Sequence, residues 1–188
     1  MSSPQSPSCS LLPRWMPLLA IPASQRPPVS LHSWLTGDGS LTARLTELAE
    51  GHFDVQILQQ RLALPSRDEQ QQLAMARPAL ALVREVALRG GGTPWVFARS
   101  VLPLSSLTGR LRRLRKQDSG SLGRFLFRHH DLQRSPFQVA CFAPGNHYVP
   151  PPLQGSNNLW GRRSVFYLDH KPLLVSEVFL DAFTALPD

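Results

Sequence analysis

At 188 residues the chain is long enough for one domain, and 42% hydrophobic residues suffice for a packed core. The formal charge of +7 suits nucleic acid, an acidic lipid surface or an anionic small substrate, and does not choose among them. No apolar run approaches the roughly 20 residues that a membrane-spanning helix needs, and Pro17 and Pro22 interrupt the stretch from Trp15 to Ala23, which speaks against a signal peptide.

Residues 1–30 hold seven prolines and seven serines. Proline lacks the helix donor and clashes with the preceding turn, so this part reads as a tail or an extended wrap, and the domain proper is expected over 31–188. Cys9 lies in that extension and Cys141 far from it. Neither has a Cys-x-x-Cys partner or metal-ligand spacing, so no structural disulfide is expected, in keeping with a reducing cytosol.

In chain order, Ser40 precedes Leu41, Leu45 and Leu48 at helical spacing and is placed to cap a short amphipathic helix. Strands are expected over Phe53–Leu62 and Ala79–Leu88, the latter turning at Gly90-Gly91-Gly92 into a second apolar run, Trp95–Leu102. Arg110–Lys116 places two leucines among five cations and reads as a surface helix or solvated loop rather than a nucleic-acid platform. A helix turn is expected at Ser121–Phe127, a strand at 136–142 and a loop over 144–158. The last part forms a hairpin, Ser164–Leu168 and Leu173–Leu180, turning at Asp169-His170-Lys171-Pro172. His129 and His130 are neighbours that point apart, so they form no metal pair. The fold class is α+β, one domain with a mainly antiparallel sheet and a few helices.

Side chains two apart on a strand share a face. One face of the second strand carries Leu80, Leu82, Arg84, Val86 and Leu88; one face of the last carries Leu173, Val175, Glu177 and Phe179. Arg84 and Glu177 are each a single charge on an apolar row. A lone buried charge is very unfavourable, so each needs a partner: each other, or a bound ligand. An exposed sheet face would also explain them. Glu85 falls on the opposite face and reads as solvated. If the two charges line a pocket, the guanidinium offers a two-point fork for a carboxylate, and the carboxyl accepts from a hydroxyl or, with burial raising its pKa, exchanges a proton. Such a pocket suits a flat acid with a distant oxygen.

The segments Leu82-Val83-Arg84-Glu85-Val86, Thr93–Pro103, Ser121–Phe127, Leu159-Trp160-Gly161-Arg162-Arg163-Ser164 and Lys171–Leu180 occur in an order that resembles bacterial chorismate pyruvate-lyase, over roughly residues 30–183. The resemblance implies helical flaps over a buried product site. It also implies conversion of chorismate to 4-hydroxybenzoate and pyruvate for ubiquinone synthesis, without a cofactor or metal, in the cytoplasm. It places the product carboxylate on Arg84 and the product hydroxyl on Glu177, with Leu41 and Leu122 packing against the ring. Leu41 departs from the methionine usual there, with similar volume and polarity. Arg162 or Arg163 is a candidate for the enolpyruvyl carboxylate, the alternative being a solvated strand edge. A monomer is expected, with no nucleic-acid partner and no stable membrane insertion. The competing reading is a small-acid-sensing domain of the same fold without chemistry. Such domains accompany a helix-turn-helix unit, for which the proline-rich first 30 residues leave no room.

Overall fold

Long, largely apolar strands account for most of the sheet. In the computed structural model, which describes residues 9–116, 121–184 and 186, β1 (Phe53–Ala63), β2 (Ala81–Gly90) and β3 (Thr93–Pro103) follow one another in sequence and pair as antiparallel neighbours. β6 (Leu159–Leu168) and β7 (Lys171–Phe179) form the last hairpin, and β7 docks on β3. The short strands β4 (Gln133–Arg134) and β5 (Gln138–Phe142) both pair with β6. The result is a seven-stranded antiparallel sheet in the order β1-β2-β3-β7-β6-β4. The last hairpin turns on two residues only: Asp169 and His170 have φ of 52° and 58°, the left-handed geometry that matches the twist of the flanking strands.

Most of the helices collect on the sheet face that carries the even-numbered residues of β2, and one lies on the other face. α2 (Leu41–Leu48) begins where the sequence indicates: the Ser40 hydroxyl accepts from the Ala43 amide, and Leu41 and Leu45 are buried while Leu48 turns outward. α4 (Leu122–Leu126) is capped in the same way by Ser121, which accepts from the Arg124 amide. Three short helices were not anticipated. α1 (Val29–Thr36) starts directly after Pro28, inside the stretch read as non-helical, because proline is tolerated just before the first turn. α3 (Arg67–Gln72) is set by a capping box in which Ser66 and Glu69 each accept from the other's backbone amide. α5 (Asp181–Thr184) closes the described chain, where Phe183 packs on Trp34 and Phe179. Arg110–Lys116 lies within a 3-10 helix spanning Gly109–Lys116, with Leu111 and Leu114 buried.

The extension behaves as a wrap over the free edge of β5. Met16 and Val139 exchange backbone hydrogen bonds of 3.0 and 2.8 Å, and the Ala143 amide donates to the Ser10 carbonyl at 3.2 Å. An uncovered edge is a row of unpaired donors and acceptors, and this segment satisfies part of it. The same path brings Cys9 beside Cys141, and the two form a disulfide with Cα atoms 4.8 Å apart. The expectation of unpaired cysteines is therefore corrected. Spacing in sequence gave no hint, because the pairing depends on the extension lying along β5. No described helix is long and apolar enough to cross a membrane.

Candidate functional site

Two adjacent rows across the sheet build the floor of a cavity. The first row runs Arg84, Ser100, Val175, Ser164 over β2, β3, β7 and β6; the second runs Val86, Ala98, Glu177, Arg162. Each residue sits directly opposite the next, so all share one face. Arg84 and Glu177 are two strands and one row pair apart, which puts their Cα atoms roughly 12 Å from each other. The helices supply the roof, with Leu41 and Thr42 of α2 and Leu122, Gly123 and Leu126 of α4 lining the same cavity. Its volume is about 50 Å³. The four residues singled out in the sequence, Leu41, Arg84, Leu122 and Glu177, thus surround one space. Leu80 does not belong to the row: it precedes β2 and is exposed.

The two roof helices are fastened together. The Thr42 and Ser121 hydroxyls share a hydrogen bond of 2.8 Å. Gly123 permits the approach, since a β-carbon there would lie 2.9 Å from the Thr42 hydroxyl.

Glu177 is ion-paired with Arg162, whose Nε donates to Oε2 at 2.7 Å. Arg162 is 3% exposed, far from the solvated edge considered from sequence. Its Nη1 donates to the carbonyls of Trp34 at 2.7 Å and Gly37 at 3.1 Å, at the end of α1 and the start of the loop into α2. Arg162 therefore links the floor to the segment that leads into α2. A carboxylate held by a guanidinium in this way is presented as a hydrogen-bond acceptor.

Arg163 is also buried, but on the opposite face. It donates to Asp68 and, through Nε, to Gln138 at 2.8 Å, and it packs on the Trp15 ring. Glu85, read as solvated, is tied on that face to Arg99 at 2.5 Å, and Arg99 also donates to buried Glu69 at 2.7 Å. Tyr148 lies there too, its hydroxyl pKa pushed up chiefly by burial.

Alternation did not find Arg134 and Phe137, which line the cavity as well. Arg134 belongs to a two-residue strand, too short for a period to show, and Phe137 follows it in a connecting segment. Ser100 and Ser164 were legible in principle, as polar residues on the face of Ala98 and Arg162.

The sequence matches the family profile described as "Chorismate lyase" over residues 19–185. It is 40% identical over 174 residues to a probable chorismate pyruvate-lyase of Nitrosomonas europaea, covering 90% of this chain and 97% of that one. It is also 40% identical over 172 residues to a probable chorismate pyruvate-lyase of Aromatoleum aromaticum, covering 88% and 92%. Among solved structures, the C-terminal domain of the histidine utilization repressor from Pseudomonas syringae superposes with a TM-score of 0.55 at 9% identity, over 72% of this chain and 96% of that one. The effector domain of PhnF from Mycobacterium smegmatis gives 0.53 at 14%, over 73% and 88%. At these identities the likeness is one of fold alone. Sequence kinship over nearly the whole chain is the stronger finding: the protein belongs to the chorismate lyase family.

Proposed function

We propose that this protein is a chorismate pyruvate-lyase, converting chorismate into 4-hydroxybenzoate and pyruvate, the entry step of ubiquinone synthesis, in the cytoplasm. The observation that carries the reading is one cavity lined by both Arg84 and Glu177, which stand two strands apart in adjacent sheet rows, under a roof that includes Leu41 and Leu122. A planar fork at one end and an acceptor at the other suit a ring with a carboxylate and a hydroxyl para to it.

In this reading Arg84 takes the ring carboxylate and Glu177 accepts from the ring hydroxyl. The bond from the ring to the enolpyruvyl oxygen breaks, and its electron pair leaves on that oxygen. The hydrogen on the carbon bearing the hydroxyl departs as a proton, and the ring becomes aromatic. The released enolate takes a proton on its methylene carbon and becomes pyruvate, so no proton is gained or lost overall. Aromatisation supplies much of the driving force, so the reaction asks for no redox cofactor. Leu41 and Leu122 exclude water and strengthen the charged contacts inside. α2 and α4 cover the cavity, so a parting of these two helices would be the route by which substrate enters.

The fold shared with an effector domain gives the second reading, binding of a small acid without chemistry. One assay separates the two. Chorismate mixed with the protein yields an aromatic product followed by ultraviolet absorbance; binding without conversion sinks the lyase. Glu177→Gln is expected to lower turnover, and Arg84→Ala to weaken 4-hydroxybenzoate affinity by about 10- to 100-fold in calorimetry with the fold intact. Unchanged affinity removes Arg84 from the site.

A further inference from the structure

Three guanidinium groups, of Arg84, Arg134 and Arg162, line the cavity together with the single carboxylate of Glu177. Resting on the lyase reading, the geometry points to Arg134 as the residue that holds the second carboxylate of the substrate, the one on the enolpyruvyl side chain.

Each alternative cation is engaged elsewhere. Arg84 faces the ring carboxylate in the proposed function. Arg162 spends its Nε on Glu177 and its Nη1 on two backbone carbonyls that fix the flap loop. Arg163 points away to the other face. Arg134 differs in kind. Its side chain is 13% exposed, while its carboxylate partner Asp38, at 2.7 Å, is 97% exposed. An ion pair with so solvated a partner holds little free energy, so an anion inside the cavity competes with it effectively. The Phe137 ring, 4.1 Å from the guanidinium carbon, fixes the plane of the fork. Burial first, and then the neighbouring Arg162, lower the Arg134 pKa from its ordinary value: the cation sits where a second negative charge would relieve it.

Asp38 lies in the loop between α1 and α2, the segment Arg162 also grips. Exchange of Asp38 for the substrate carboxylate on Arg134 therefore occurs at the foot of the α2 flap. Product and substrate differ at this point, since 4-hydroxybenzoate lacks the enolpyruvyl carboxylate.

That difference supplies the test. Arg134→Met keeps volume and removes the fork; Arg134→Lys keeps the charge. For Arg134→Met, the KM for chorismate is expected to rise about 10- to 100-fold, while the Kd for 4-hydroxybenzoate by calorimetry stays within about twofold of wild type. Arg134→Lys recovers part of the loss in KM. Equal weakening of substrate and product by Arg134→Met, or an unchanged KM, overturns the assignment. A thermal melt of each variant accompanies the kinetics; if Arg134→Met does not fold, the Lys variant decides, and wild-type KM there counts against the assignment, because a point charge does not reproduce a fork. Wild-type protein that leaves chorismate intact is a separate result, and refutes the proposed function instead.

Discussion

Arg162→Leu should destabilise the protein severely, because one side chain serves three partners in a nearly dry site. Arg162 is 3% exposed and its partner Glu177 keeps 18% of its side-chain exposure. Removing one member of a buried pair costs about 3–5 kcal/mol, since the other charge is left uncompensated; residual solvent at Glu177 favours the lower end. The carbonyls of Trp34 and Gly37 lose their donor as well, at about 1 kcal/mol each. New apolar contacts of the leucine offset part of this, leaving a loss of about 4 kcal/mol. For a chain of this size, that lowers the melting temperature by roughly 8–16 °C.

The double variant Arg162→Leu/Glu177→Gln separates the charge from the carbonyls. With Glu177 neutral, the ionic part of the cost disappears, and the double variant is expected to be more stable than Arg162→Leu alone by about 2 kcal/mol. Urea unfolding at pH 7, checked by calorimetry, measures the full cycle. Two results would refute the reasoning: Arg162→Leu within about 1 kcal/mol of wild type, or single-variant losses that simply add.

Two further predictions concern the periphery. Arg110 donates to Asp131 at 2.5 Å, and that hydrogen bond first of all lowers the Asp131 pKa from 3.8 to about 2. A carboxyl with a folded pKa below its unfolded one contributes stability that is complete above the unfolded value and lost as pH falls through the folded one. Asp131→Asn should therefore flatten the dependence of the melting temperature on pH between about 4 and 2, and an unaltered slope counts against the pair. Both groups are exposed, so the effect fades with added salt. The second concerns Cys9 and Cys141, separated by 132 residues. Closing so long a loop stabilises by up to about 4–5 kcal/mol on the chain-entropy account. Reductant should lower the melt and open residues 9–21 to protease, whereas Cys9→Ser should not respond; full alkylation of both thiols without reductant would disprove the bridge.

Much of the sheet was legible because its longer strands are apolar-rich over about ten residues, long enough for a row of every second residue to stand out. Arg84 and Glu177 were conspicuous for the same reason: each interrupts an apolar row. What the pattern cannot express is which strand lies beside which. Glu177 and Arg162 face each other only because β6 and β7 pair in register, so the sequence left Arg84 and a ligand as the candidate partners of Glu177 when the ion pair is with Arg162. Arg134 was invisible, since two residues of strand carry no period. The disulfide was missed because its geometry depends on an extension whose path is set by an edge strand far along the chain. α1 and α3 were missed because they are short, and because a capping box at Ser66 and Glu69 opens a polar, not an apolar, helix.

The sheet carries charge on both faces, and the contrast bears on where an anion would bind. On the face away from the roof helices, guanidinia meet carboxylates: Arg99 with Glu69 and Glu85, Arg163 with Asp68. Charges matched in this way stiffen the packing and leave little field for a visitor. On the roofed face, Arg162 pairs with Glu177 and Arg134 with a solvated Asp38, so the three guanidinia lining the cavity outnumber the carboxylate inside it and positive potential accumulates within low-dielectric walls. The net charge of +7 alone would not have distinguished the two faces. In the proposed reaction, a cavity of this sign suits a two-carboxylate substrate better than a one-carboxylate product, which is the direction that lets product leave.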